Sequence, residues 1–90
     1  MTGLPESPGI DVLYFAWVRE RIGCSRERVE TKALTVADLV AELAAREARY
    51  AAAFADLRAL RVAVDQKLAE FTAPLAGVRE VAFFPPMTGG

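Results

Sequence analysis

Apolar and polar positions along the chain fall into runs of two different periods. Ile10-Asp11-Val12-Leu13-Tyr14-Phe15-Ala16 is rich in β-branched and aromatic residues and reads as a strand. Alternation puts Ile10, Val12 and Tyr14 on one face and Leu13 and Phe15 on the other. Both faces are apolar near its end, which suits a central strand. Trp17 to Ile22 reads as one or two helical turns, stopped by Gly23. Glu27 to Lys32 is a weaker strand with alternating charges and Val29 as its anchor; its polarity predicts an edge.

The period then changes. Thr35-Val36-Ala37-Asp38 resembles a capping box, a hydroxyl followed three residues later by an acid. Val36, Leu39, Val40 and Leu43 follow at helical spacing, with Asp38, Glu42 and Arg46 on the opposite side. This helix is expected to reach about Glu47 or further. Tyr50 to Phe54 either continues it or makes a second turn, and Asp56-Leu57 begins a connection. Leu60 to Val64 is a strand, Asp65-Gln66 a tight turn and Lys67 to Phe71 the return strand. Pro74 interrupts, Leu75 is a buried loop anchor and Gly77 supplies a bend. Arg79 to Phe84 is the last strand, with Val81 and Phe83 alternating with Ala82 and Phe84.

The order is strand, strand, helix, strand, strand, strand. One main helix must cover one face of a small sheet, because its apolar side has no other place to go. The first and last strands, both apolar on two sides, belong together in the middle. This predicts an α+β fold of the β-grasp, ubiquitin-like kind: a mixed sheet covered by one main helix. A plain α+β sandwich with other pairings is the alternative. The expected organisation is a loose leader over 1–9, the domain over 10–84 and an extended tail over 85–90.

Composition narrows the function classes. Ninety residues with 53% hydrophobic and 26% charged side chains make one ordinary globular domain. A net charge of −1 gives no general attraction to nucleic acid. No apolar run approaches the roughly 18 residues of a membrane span. Histidine is absent, which removes the usual general base, the commonest metal ligand and the Ser-His and Cys-His nucleophile pairs. A single cysteine, Cys24, and no signal-like N-terminus predict a cytoplasmic protein. Cys24 reads as an inert small residue.

The chemistry points to the C-terminus. Phe83-Phe84 is followed by Pro85-Pro86, Met87-Thr88 and Gly89-Gly90. Two prolines end the strand and aim a stiff, polyproline-like stem outward. Two glycines can thread a channel too narrow for a side chain. Ordering free backbone costs roughly 1–2 kcal/mol per residue, and a stiff stem lowers that cost on insertion. The Gly90 carboxylate is then a reactive group on a thin tether.

These residues carry a likeness. Val12-Leu13-Tyr14-Phe15-Ala16 with Val18-Arg19-Glu20, Val62-Ala63-Val64-Asp65-Gln66, and Glu80 to Gly90 together resemble the small, sulfur-carrying subunits of molybdopterin synthase. The likeness covers nearly everything from Ile10 onward. Phe-Phe-Pro-Pro before a terminal Gly-Gly is its most specific part. Two places depart: Gly77-Val78-Arg79 stands where the family often has Asp-Gly-Asp, and Asp65 where it often has Asn.

The resemblance implies a carrier whose catalytic groups lie on its partners. A ubiquitin-activating-like enzyme would adenylate the Gly90 carboxylate with ATP, and a sulfur donor system would convert it to a thiocarboxylate. The tail would insert into the large synthase subunit, where sulfur passes to precursor Z (cyclic pyranopterin monophosphate). No bound cofactor, nucleic acid or membrane is implied. Gly90 carries the acyl group and Gly89 keeps the passage clear, with Pro85, Pro86, Met87 and Thr88 in contact with the partner. Phe15, Leu68 and Phe84 are the expected docking patch, on the sheet face opposite the helix. A one-layer cover leaves that face open, unless Tyr50 to Leu57 folds across it. Three other readings stay open: a thiamine-pathway sulfur carrier, a ubiquitin-like modifier and a non-catalytic binding module.

Overall fold

The computed structural model describes residues 9–86. Two strands, β1 (Gly9–Tyr14) and β5 (Glu80–Phe84), run parallel at the centre of one sheet, with Val12 opposite Val81 and Tyr14 opposite Phe83. A parallel pair cannot be closed by a tight turn, and here the rest of the domain connects them. β2 (Arg26–Glu30) lies antiparallel to β1 at one edge. β3 (Arg61–Val64) lies antiparallel to β5, and β4 (Lys67–Ala69) antiparallel to β3 at the other edge. The order is β2-β1-β5-β3-β4, the β-grasp arrangement.

Among the described residues three α-helices cover one face. α1 (Ala16–Ile22) ends at Gly23, whose φ of 99° is left-handed and whose amide donates to the Arg19 carbonyl. α2 (Val36–Arg46) is the main helix; the Thr35 hydroxyl accepts from the Asp38 amide at 3.2 Å. Two more amides of its first turn, those of Val36 and Ala37, donate to the carbonyls of Ala73 and Phe71. The loop after β4 is thereby stitched to the helix start, and β4 stops at Ala69 rather than running to Phe71. Glu47 is extended (φ −150°, ψ 152°), so α3 (Ala48–Ala53) is a separate helix.

β2 also ends before Lys32. The Thr31 hydroxyl donates to Glu42 at 2.7 Å and accepts from the Ala33 amide at 3.0 Å, which turns the chain toward α2. β1 begins one residue earlier than the leader boundary read from the sequence: Gly9 already pairs with Glu30. A Cβ at Gly9 would lie 2.9 Å from the Nε of Arg28, a flexible side chain that can shift aside. Residues 1–8 of the expected leader lie outside the described residues.

The core fills the space between sheet and helices. Val12, Tyr14, Val62, Val81 and Phe83 from the strands meet Val18, Leu39 and Leu43 from the helices, all essentially without solvent contact. Phe83 is the aromatic hub. It stacks on Tyr14 with centroids 6.3 Å apart and takes an edge of Phe54 at 5.0 Å. No helix among the described residues is long and apolar enough to cross a membrane.

Candidate functional site

The tail grows out of the middle of the sheet. β5 is flanked on both sides up to its end, by Tyr14 opposite Phe83 and by Arg61 opposite Phe84. The Phe15 amide extends this pairing, donating to the Phe83 carbonyl at 3.1 Å. Period-two alternation sends the Phe83 ring into the core and the Phe84 ring to the opposite face. Pro85 and Pro86 follow outside the strand and are half-buried. Met87, Thr88, Gly89 and Gly90 lie outside the described residues.

The face around this root is open. Register places Leu13, Ala82, Ala63 and Leu68 in one row across β1, β5, β3 and β4. Phe84 follows Ala82 on the same face, and Phe15 continues the alternation of β1 from an extended backbone (φ −123°, ψ 153°). Phe15 is 48% and Leu68 74% exposed, while Leu13, Ala63 and Phe84 are half-buried. Tyr50 to Leu57 does not fold over them. Tyr50 and Phe54 pack on Tyr14 and Phe83, on the core side. The three patch residues Phe15, Leu68 and Phe84 therefore share one uncovered sheet face.

A sharp corner ends that face. Ala16 has a φ of 54°, left-handed for a residue with a Cβ. Such a conformation costs roughly 1–2 kcal/mol and lets the chain leave β1 directly into α1. At the β2 side the patch meets charge: Asp11 accepts from Arg26 and Arg28, each at 3.2 Å. These bonds hold the Asp11 carboxyl below the ordinary carboxylate range.

A family model described as the ThiS family matches residues 12–90. The chain belongs to that family. A molybdopterin synthase sulfur carrier subunit of Escherichia coli is 46% identical over 81 residues, 90% of this chain and 99% of the relative. One of Haemophilus influenzae is 35% identical over the same shares. Among solved structures, SAMP1 from Haloferax volcanii superposes with a TM-score of 0.72 at 24% identity, covering 91% of this chain and 99% of that one. As a member of the family the chain is a sulfur carrier of molybdenum cofactor biosynthesis.

Within this ThiS-family carrier, Cys24 lies between α1 and β2 and packs against the core. It is half-buried after Gly23, and burial, with Glu27 nearby, pushes its thiol up. A raised thiol is a poor nucleophile at neutral pH.

Two braces escaped sequence reasoning. Glu27 Oε2 accepts from the hydroxyls of Tyr14 at 2.7 Å and Tyr50 at 2.6 Å. Arg49 then donates to the Tyr50 hydroxyl at 3.2 Å and to the Ile22 carbonyl at 2.7 Å. One carboxylate on an edge strand thus ties β1, α3 and α1 together. Burial and the Glu27 carboxylate push the Tyr50 phenol up to about 12 and Tyr14 far above its ordinary range. The second brace is Asp65. With Gln66 it takes positive φ (49° and 70°), as a two-residue hairpin turn needs. Its carboxylate also accepts from the Arg79 and Glu80 amides, both at 3.0 Å. Asp65 therefore fixes the start of the strand that ends in the tail, across the Gly77-Val78-Arg79 turn.

Proposed function

We propose that Gly90 is the working group of the molecule and that the open sheet face docks the large subunit of molybdopterin synthase. The observation that carries this reading is the convergence of an uncovered apolar face on the root of a Pro-Pro-x-x-Gly-Gly tail. The names of the two curated relatives favour molybdopterin over thiamine as the pathway served.

The chemistry follows from the terminal carboxylate. A carboxylate is a poor electrophile until one oxygen becomes a good leaving group. An ATP-dependent activating enzyme joins that oxygen to AMP and releases pyrophosphate. Hydrosulfide released by a sulfur donor then attacks the unhindered glycine carbon, AMP leaves with the electron pair of the broken C–O bond, and the tail carries a thiocarboxylate. Inside the large subunit this nucleophile bonds to precursor Z through sulfur. Water hydrolyses the resulting thioester, so that sulfur stays on the acceptor and the Gly90 carboxylate returns, and two such transfers complete the dithiolene. Gly89 lets the tail thread a narrow channel of the partner, which Pro85, Pro86, Met87 and Thr88 contact on the way in. A cytoplasmic setting accords with a single unbridged cysteine.

Intact mass spectrometry of the chain from sulfur-replete cells tests this. A gain of about 16 Da, oxygen replaced by sulfur on the activated acyl carbon, is expected. It is expected to vanish on deletion of Gly90. Gly89→Val is expected to fold normally and to lose loading or transfer. A Gly90-deleted chain that still supports molybdopterin synthesis with the large subunit would overturn the carrier tail.

A further inference from the structure

The open face carries one cation beside the tail root that no described carboxylate matches. Arg61 opens β3, is exposed, and sits directly opposite Phe84 in the register. Its Nη1 donates to the carbonyl of Leu60 at 2.9 Å and to that of Arg58 at 3.5 Å. Among the described residues it forms no ion pair. The arginines at the other side of the same face differ: Arg26 and Arg28 share Asp11. The face therefore has a corner at β2 where one carboxylate partly offsets two cations, and at β3 a cation with no carboxylate partner among the described residues.

We infer that Arg61 is a specificity-determining residue of the docking face and that the partner covering Phe84 presents a carboxylate to it. This inference rests on the docking reading above. Residues opposite each other in an antiparallel pair lie about 5 Å apart. A partner surface seated on Phe84 must therefore strip water from Arg61 as well. Two neutral carbonyls anchor one nitrogen of the guanidinium and leave its charge unmatched. Covering such a charge with apolar surface costs more than the contact returns, whereas a carboxylate matches both its charge and its planar fork. Nε and Nη2 make no hydrogen bond among the described residues, so donors remain for that fork. The same charge rejects partners that offer only an apolar surface and steers the right one during approach.

The test is calorimetric titration of the whole chain with its cognate large synthase subunit, at low and at high salt. The variants are Arg61→Gln, Arg61→Glu, Arg61→Leu and Phe84→Ala, each with a thermal melt. Arg61→Gln is expected to weaken binding about tenfold at low salt and Arg61→Glu about a hundredfold, the scale of a matched and a reversed interfacial charge. Both losses are expected to shrink at high salt, with melts near wild type. If Phe84→Ala weakens binding but Arg61→Glu does not, the arginine inference falls and the docking face stands. Tighter binding of Arg61→Leu would mean an apolar partner surface at that spot and would also overturn it. If neither Phe84→Ala nor Arg61→Glu alters binding, the docking reading fails and takes the inference with it.

Discussion

Phe83 and Phe84 are chain neighbours with the same side chain and opposite surroundings. Phe83 lies among Tyr14, Phe54 and Phe71, with no solvent contact. Phe84 points to the other face, where it is half-buried and no helix among the described residues crosses it. The sheet thus has one finished face, covered by α1, α2 and α3, and one that no helix of the described residues covers. An aromatic residue is worth burying on either side. On the first face that free energy stabilises the fold, and on the proposed docking reading the second face keeps it for association.

The largest expected effect breaks the finished face. Phe83→Ala should destabilise the domain by about 3–5 kcal/mol, the usual range for an aromatic deleted from a packed core. Against a total of about 5–15 kcal/mol for a small domain, much of the chain would then be unfolded at moderate temperature. Urea unfolding followed by far-UV dichroism measures this. A loss under about 1 kcal/mol would mean that Phe83 is not the hub its three ring contacts imply.

The next sharpens the contrast by moving one residue along. Phe84→Ala should change unfolding by less than about 1 kcal/mol and weaken association with the large synthase subunit by about ten- to a hundredfold, on the scale of one buried ring. Titration calorimetry and urea unfolding of the same preparation separate the two effects. If Phe84→Ala melts like Phe83→Ala and binds like wild type, both faces are core and the comparison collapses.

Much of this contrast was legible in the sequence, because alternation is a nearest-neighbour property. Ile10, Val12 and Tyr14 against Leu13 and Phe15 already sorted β1 into two faces, and Val81 and Phe83 against Ala82 and Phe84 did so for β5. The Thr35 cap, the Gly23 stop and the Asp65-Gln66 turn are equally local, and each stands where its residues predicted. What needed the structure is long-range. The Glu27 clasp joins residues 13 and 23 positions apart, and a single acid among alternating charges carries no mark of it. Whether the helix breaks at Glu47 or continues through Tyr50 to Phe54 stays open in the sequence, because the stretch is alanines and charges with good helix propensity; the structure breaks it there. That break decides which face α3 covers, and so leaves Phe15, Leu68 and Phe84 open. The role of Arg61 depends on its register against Phe84, which pairing alone reveals.

Each face also has a carboxylate that holds two partners, and these differ in depth. Glu27, on the finished side, accepts from two phenols of tyrosines almost wholly buried. Glu27→Ala leaves both hydroxyls without that acceptor and should cost about 2–3 kcal/mol, the range for orphaned buried donors. The clasp also sets an alkaline limit. With Tyr50 pushed up to about 12, the unfolded chain ionises first, from the ordinary tyrosine value of 10.0. Rising pH between those values therefore favours unfolding. Stability should fall across that window in wild type and less steeply in Tyr50→Phe, by urea midpoints at each pH. Equal slopes would detach the clasp from the alkaline limit.

The smallest expected effect belongs to the matching carboxylate on the open face. Asp11 holds Arg26 and Arg28 at 3.2 Å, but both guanidinium groups are largely exposed and the ions compete with water and salt. The sign is opposite to that of Tyr50. The arginines hold the folded carboxyl below its ordinary value of 3.8, so above that value both states are ionised and the contribution is complete. As pH falls, the unfolded chain takes up the proton first, and the contribution is lost through the folded value. Asp11→Asn should therefore lie slightly below wild type in urea midpoint near neutrality and converge with it in acid. Added salt should erase most of the gap. A loss as large as that of Glu27→Ala, unchanged by salt, would show that the open face is braced like the finished one, and the division between a folding face and a docking face would have to be redrawn.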